Sequence, residues 1–552
     1  MLKALVMREL TTLMRRRRIM ALQCGLVALF AILVAIRWPT DSRMALTGSR
    51  SQQVFQLFGY GLLATLLLIL PVFPATSIVR EKKQGTLALL LNTPLGPWRI
   101  FLGKLTAVLA LSGIILVMSL PAASACYAMG GLSLYGDLWK VYQLLMLAAL
   151  QYAVLGLLVS TYSNSIDSAV RLAYGLVLGL SVMTLGPHYF FQGTKGYLAD
   201  IGELLYGITP LGAMMSLTGA GDVGSKGLIT KTEVLGRFTV TSLIVSVIAS
   251  ACSISRLNHT IFDQARPQGA ISDDQTQSVR FFRRLFFLVD PQRRSSNISS
   301  LVNPIMVKEF RCRRFGRLHW LLRLVAVCAV LSLGLTYATT AGTFDWGVET
   351  IGGIMVVMQV ALLALITPSL SAGLLSSERE SRGWQLLQTT PMSIARIVWG
   401  KLLSVILPLM LILCATLPGY LVMVYIEPGM ELQVKRVVIC LAAMAVFAML
   451  LSAAVGSLFK RTAAATAAAY GVLLSICALP LLIWLGRDAP FGHKTVEAAL
   501  SVNPIAAALS VIRMPGFQDY SLIPANWWFL GIGSIISLLV LLTQTYRISR
   551  PQ

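Results

Sequence analysis

Few residues in this 552-residue chain have the type and spacing for covalent chemistry. Gly103-Lys104-Leu105 and Gly400-Lys401-Leu402 hold a glycine-lysine pair. A phosphate-cradling loop also needs an upstream glycine, for close backbone approach, and a hydroxyl residue to hold magnesium; both are missing. The four histidines, His188, His259, His319 and His493, are scattered and form no HExxH pair. No G-x-S-x-G elbow occurs. The eight cysteines fall mostly in apolar runs without a CxxC pair, as small core hydrophobes do. Of the carboxylates, Asp167 falls at a turn and Glu427 and Glu431 at a loop, so the apolar segments are nearly free of acids. Carriers driven by protons or sodium need ionisable groups at mid-membrane, which counts against that class. No catalytic set, metal site or bound cofactor is expected.

The elements around these residues belong to a membrane protein. Apolar residues make up 56% of the chain and charged ones 12%, half of what a soluble surface normally carries. Runs of roughly twenty apolar residues match the bilayer thickness. They predict an all-α polytopic protein with about twelve transmembrane helices. In the first half these are 19–36, 55–79, 100–128, 141–162, 166–187 and 237–255; in the second, 319–338, 351–375, 397–424, 434–459, 462–485 and 526–546. Pro71, Pro74, Pro121, Pro368 and Pro418 fall inside them, where neighbouring helices can satisfy the freed carbonyls.

The formal net charge of +23 points to topology and anionic lipid rather than nucleic acid, because the basic residues flank the apolar runs and no nucleic-acid motif accompanies them. The N-terminus, the 80–99, 256–318 and 378–396 connections, Lys460-Arg461 and the tail are basic. The positive-inside rule puts both termini in the cytoplasm of a multi-pass cell (inner) membrane protein; only Arg37, Arg43 and Arg50 dissent. The run after Arg15 to Arg18 is too long for a signal peptide and reads as the first span.

The chain repeats itself. Val307-Lys308-Glu309-Phe310 echoes Met7-Arg8-Glu9-Leu10 at a separation of 300. Thr390-Pro391 and Gly400-Lys401-Leu402 echo Thr93-Pro94 and Gly103-Lys104-Leu105 at 297, and Asn503-Pro504-Ile505 follows Thr209-Pro210-Leu211 at 294. Two six-span units are expected, 1–256 and 303–552, joined by a cytoplasmic linker, 257–302. An even number of spans makes them parallel repeats. Phe281 to Phe287 in the linker reads equally as an interfacial patch or part of a tether.

Each unit opens with a short amphipathic segment; Leu2, Leu5, Val6, Leu10 and Leu13 share one helical face, and Asn303-Pro304 is a cap-and-first-turn pair. Between spans two and three lie Arg80 to Pro94 and Glu378 to Pro391: a charged start, a glycine, a leucine-rich turn of helix and a Thr-Pro turn. Their leucines have no core of their own to enter, so a docking partner is expected.

The elbow pattern, the Glu/Arg–Gly–Leu-Leu–Thr-Pro hairpins, the following Gly-Lys, the late Thr-Pro-Leu and Asn-Pro-Ile segments, and the turns at 163–167 and 460–464 together resemble the type-2 ABC exporter permease family. The resemblance covers both halves except the linker. It implies interfacial elbow helices carrying Glu9 and Glu309, and a separate cytoplasmic ABC ATPase, in two copies, that holds ATP and magnesium. It also implies coupling hairpins marked by Arg80, Glu81, Gly85, Thr93 and Pro94 and by Glu378, Glu380, Gly383, Trp384, Thr390 and Pro391, with Trp384 standing where the first hairpin has Thr86. Family members usually pair two single units; this chain carries both, so no second permease chain is required. The implied activity is ATP-driven export. The alternatives are an ABC-type subunit for signalling or for extracting membrane components, or an intramembrane lipid-modifying enzyme, for which no clustered acids are present. The sequence does not select a substrate.

Overall fold

The computed structural model describes residues 2–14, 49–93, 96–128, 132–184, 197–218, 231–257, 303–312, 348–381, 383–485 and 492–549, with isolated positions at 23, 25, 28, 326 and 330. The described residues form helices and turns and no strand. Apart from those isolated positions, the expected first spans of each half (19–36 and 319–338) lie outside the described residues, as do most of the linker and Pro94.

In the first half the helices are α1 (Leu2–Met14), α2 (Ser49–Ile69), α3 (Val72–Gln84), α4 (Thr86–Leu91), α5 (Pro97–Ala128), α6 (Trp139–Tyr162), α7 (Ile166–Leu178), α8 (Tyr197–Ile208), α9 (Pro210–Thr218) and α10 (Lys231–Arg256). The second half holds α11 (Pro304–Cys312), α12 (Val348–Ser371), α13 (Gly373–Glu380), α14 (Gly383–Gln388), α15 (Ile394–Ile426), α16 (Glu431–Ser457), α17 (Thr462–Leu485), α18 (His493–Leu500), α19 (Pro504–Val511) and α20 (Ala525–Ser549). Nine helices among the described residues are long and apolar enough to cross a membrane. The expected span 166–187 is described only to residue 184, as α7 and a following π turn.

By contacts the chain divides into two compact units, Met1–Arg266 with Leu482–His493, and Pro267–Leu481 with Lys494–Gln552. In the first, α6 is the central helix, packed by α3, α5, α7 and α10. Between helices in lipid the drive is close packing rather than water exclusion, so small residues sit at the contacts. Ala148, Ala149, Ala153, Gly156 and Ser160 line α6. A methyl group at Gly156 would come within 2.6 Å of the Pro74 ring, so the glycine sets the distance between α6 and α3. In the second unit α16 has the same central place, between α12 and α20. Gly456 brings its backbone against the Ala372 carbonyl, 2.1 Å from where a Cβ would stand.

Each span-two proline lacks the N–H that a helix ladder would use, and in both units a tyrosine donates to a carbonyl one turn before it, although α12 runs unbroken through Pro368. Tyr174 on α7 donates its hydroxyl to the Leu68 carbonyl at 2.7 Å, three residues before Pro71. Tyr470 on α17 donates to the Leu365 carbonyl, three residues before Pro368. An unsatisfied carbonyl in hydrocarbon would cost several kcal/mol, so buried phenol groups beside these prolines are physically reasonable.

The late capping segments repeat as well. Thr209 accepts from the Leu211 N–H and donates to the Ser181 carbonyl at 3.2 Å. Asn503 accepts from the Ile505 N–H at 2.8 Å and donates to the Cys477 carbonyl at 2.7 Å. Each starts a short helix with a proline at its first position and ties it back to the preceding span.

Candidate functional site

The charged positions that the two halves share converge on one arrangement, built twice. In the first unit Lys104, on the first turns of α5, lies 3.2 Å from Glu9 of α1 and 3.0 Å from Glu81 Oε2 near the end of α3. The Lys104–Glu81 contact is an ion pair whose geometry is not that of a hydrogen bond. Arg8 closes the ring, donating to Glu9 at 2.9 Å and to Glu81 at 2.8 Å. In the second unit Lys401 donates to Glu309 at 2.6 Å and to Glu378 at 3.1 Å, and Lys308 donates to Glu378 at 2.9 Å. The lysines at the centre are buried, Lys104 being 2% exposed and Lys401 1%.

Burying a charge costs several kcal/mol unless it is paired and hydrogen-bonded. Each cluster meets that condition with two carboxylates and two cations, and its outer cation, Arg8 or Lys308, is half exposed. Burial works to raise the Glu9 carboxyl, but the Lys104 ammonium and the bonds from Arg8 and Lys104 outweigh it and hold the group below its ordinary value. Three chain segments far apart in sequence, elbow, hairpin and third span, are thereby fastened at one point. Asn303 adds a second fastening in the later unit: it caps α11 through the Ile305 N–H and donates to the Arg396 carbonyl of α15, both at 3.0 Å. A Cβ on Gly400 would strike the Asn303 amide at 2.6 Å, so this glycine admits the elbow.

The first arms of the hairpins are span two itself, which stays helical to Gln84 in one unit and, through α12 and α13, to Glu380 in the other. A charged residue marks the edge of the apolar run, not the end of the helix. Gly85 then turns the chain at φ +72°, a conformation that strains any residue with a Cβ. Gly383 serves differently; a methyl there would stand 2.3 Å from Glu378 Oε2, so the glycine lets the second hairpin close over its buried carboxylate. Thr93 and Thr390 each turn the hydroxyl back to the carbonyl three residues earlier, Leu90 at 2.5 Å and Leu387 at 2.6 Å. Pro391 is exposed just beyond, and Arg80 is half-buried beside Glu81.

Trp384 is buried in the register of Leu87, not that of Thr86 as the sequence pairing had it. Two residues further along each short helix, Leu89 is 69% exposed and Leu386 is 73% exposed. These matched leucines are the outward apolar residues of the hairpins. The turns between spans four and five lie against the same hairpins: Lys82 donates to Asn164 at 3.0 Å, and Glu380 accepts from the Thr462 N–H at 2.9 Å and from its hydroxyl at 2.6 Å.

Sequence reasoning singled out Glu9, Glu81, Glu309 and Glu378 but not their shared partners. In the sequence Lys104 and Lys401 fail as a nucleotide loop and stand out only as repeat markers and as part of the Gly-Lys feature of the family resemblance. The usable signal was that both lysines, like the four acids, recur in the two copies within otherwise apolar surroundings. Among the described residues no three His, Cys, Asp or Glu side chains gather as a metal site.

The fold and its paired clusters define a multi-pass, all-helical membrane protein made of two fused units of one kind. Two family models, each described as ABC-2 family transporter protein, match residues 12–182 and 339–543, together more than half of the chain. The chain belongs to the ABC-2 transporter family and is a permease component of an ABC transporter. No curated protein matches it at the threshold searched.

Proposed function

We propose that this chain is the complete membrane part of an ATP-driven exporter whose ATPase is a separate cytoplasmic chain, present in two copies. One nucleotide-binding domain seats on each hairpin, 80–94 and 378–391, with the turns at 163–167 and 460–462 as secondary contacts. The observation that carries this reading is the matched pair Leu89 and Leu386, exposed on short helices whose roots are locked to the elbow and to span three by the buried charge clusters. An exposed leucine on a rigid base is what a partner cleft can grip, and the clusters give the grip something to move. When the partner domains close on ATP, the hairpins approach and each half moves as a body, switching access to the substrate path. In this reading the units are 1–256 and 303–552, the 257–302 linker and both termini are cytoplasmic, and the protein resides in the cell inner membrane.

The test is purification of the tagged chain from its native membrane, with ATPase activity and co-purifying subunits measured. Wild type brings down a chain with a Walker A motif, and the Leu89→Glu/Leu386→Glu variant loses it while keeping its unfolding temperature. Retention of the ATPase by that variant, or ATP hydrolysis by the chain alone, overturns the assignment. Transport in reconstituted vesicles separates export from extraction or signalling.

A further inference from the structure

The two units differ on the face of the short helix that precedes each late capping segment. Aligned at the separation of 294 that relates Thr209 to Asn503, Glu203 corresponds to Glu497. Both acids hold a neighbouring segment: Glu203 pairs with Arg237 of α10 at 2.8 Å, and Glu497 accepts from the Ser521 N–H and hydroxyl at 3.1 and 2.8 Å. Each helix is thus fastened within its own unit, α8 to the last span and α18 to the segment that leads into it. Their outward faces are not alike. On α8, Tyr197, Ile201 and Leu204 are 89%, 54% and 61% exposed. Their spacing of four and three puts them on one helical stripe, with exposed Asp200 along one flank. On α18 the counterparts of Ile201 and Leu204 are the exposed Thr495 and Ala498, while Val496 and Leu500 are buried; Phe491, the counterpart of Tyr197, lies outside the described residues.

An exposed stripe of tyrosine, isoleucine and leucine needs a cover, and the surface beside it indicates one. The end of α8 is fastened to α10 by the Glu203–Arg237 pair and by a hydrogen bond from Thr241 to the Gly207 carbonyl at 2.8 Å. Beside those anchors, α10 exposes Val240, Leu243, Ile244, Val247 and Ile248 along its length. On a membrane-spanning helix such a face meets lipid tails. The geometry points to α8 lying in the bilayer interface at the N-terminal end of α10, its Tyr197–Ile201–Leu204 stripe in contact with acyl chains, whereas α18 of the second unit faces water. The occupant of the stripe is lipid: its helix is anchored to α10, which exposes an apolar face of its own, its aromatic residue has the amphipathic character favoured at interfaces, and the acids flank it rather than interrupt it. This requires only that α10 spans a bilayer, so it stands or falls apart from the ATPase reading.

The experiment places an environment-sensitive fluorescent amino acid at Ile201, at Leu204 or at Thr495, one per variant, in the full chain held in phosphatidylcholine nanodiscs. Doxyl-labelled phosphatidylcholine is expected to quench the probes at 201 and 204 at least roughly twofold more than iodide does, with the order reversed at 495. Iodide reaching 201 and 204 as freely as 495 overturns the proposal, because the stripe then faces water. Failure of both quenchers at 201 and 204 overturns it too, because protein, whether a second copy or another chain, then covers the stripe. The same probe at Val240 supplies the lipid-exposed reference, and the two α8 positions guard against a single variant that does not fold.

Discussion

Lys401 and Glu309 meet at 2.6 Å although 92 residues separate them, and the lysine simultaneously reaches Glu378 at 3.1 Å. Removing one member of such a buried set leaves the rest unbalanced, at a typical cost of about 3–5 kcal/mol. Lys401→Met should therefore lower the unfolding midpoint markedly, leaving two carboxylates opposite the single half-exposed Lys308. Adding Glu309→Gln should recover part of the loss. Thermal or denaturant unfolding of the chain in nanodiscs measures both, and full stability in Lys401→Met would contradict the burial argument. Lys104→Met should behave alike.

The two hairpin glycines should fail for different reasons. Gly85→Ala forces a Cβ into a left-handed conformation and should cost about 1 kcal/mol, with Gly85→Asn milder. Gly383→Ala should instead act through Glu378, so combining it with Glu378→Gln should give less than the sum of the single losses. Strict additivity in a double-mutant cycle would refute the contact. Bulky replacements at either glycine damage the hairpin itself and do not report on partner docking alone.

Tyr174→Phe and Tyr470→Phe each delete one hydroxyl that serves a carbonyl one turn before a span-two proline. A loss of about 1 kcal/mol is expected for each, the usual size of a polar contact between membrane helices. The companion Tyr152→Phe, whose hydroxyl bonds Ser181 at 2.6 Å, has no proline beside its partner and should cost less. Equal losses at all three positions would mean that the prolines create no special need.

Acid should reveal Glu9. Its folded-state pKa lies below the ordinary carboxylate value. A depressed pKa contributes stability that is full above the unfolded value, near 4.3, and is lost as pH falls through the folded value. Stability from this group should stay level from neutral pH down to about 5 and then decline. Glu9→Gln should lower stability at neutral pH and flatten the acid decline. An unchanged acid limb would show that Glu9 titrates as it does in water.

Much of this architecture is legible in the sequence because duplication supplies an internal control. The separations of 300, 297 and 294 locate the elbows, hairpins and late caps, and each carries matching hydrogen bonds. Side-chain direction was not legible. Leu87 and Leu89 read identically as hairpin leucines, yet one is buried and the other exposed. Which side of so short a helix turns inward depends on spans that the local pattern does not contain. Lys104 and Lys401 were opaque for a related reason: a lysine beginning an apolar run reads as a membrane-edge charge, and only folding brings α1 and α11 against it.

Within each half the ion pairs join two acids to two bases, Arg8 and Lys104 with Glu9 and Glu81, and Lys308 and Lys401 with Glu309 and Glu378. A gene severed within the stretch between Leu257 and Asn303 would yield two polypeptides that inherit intact latches, and their reunion in one membrane would then depend only on what the halves recognise in each other.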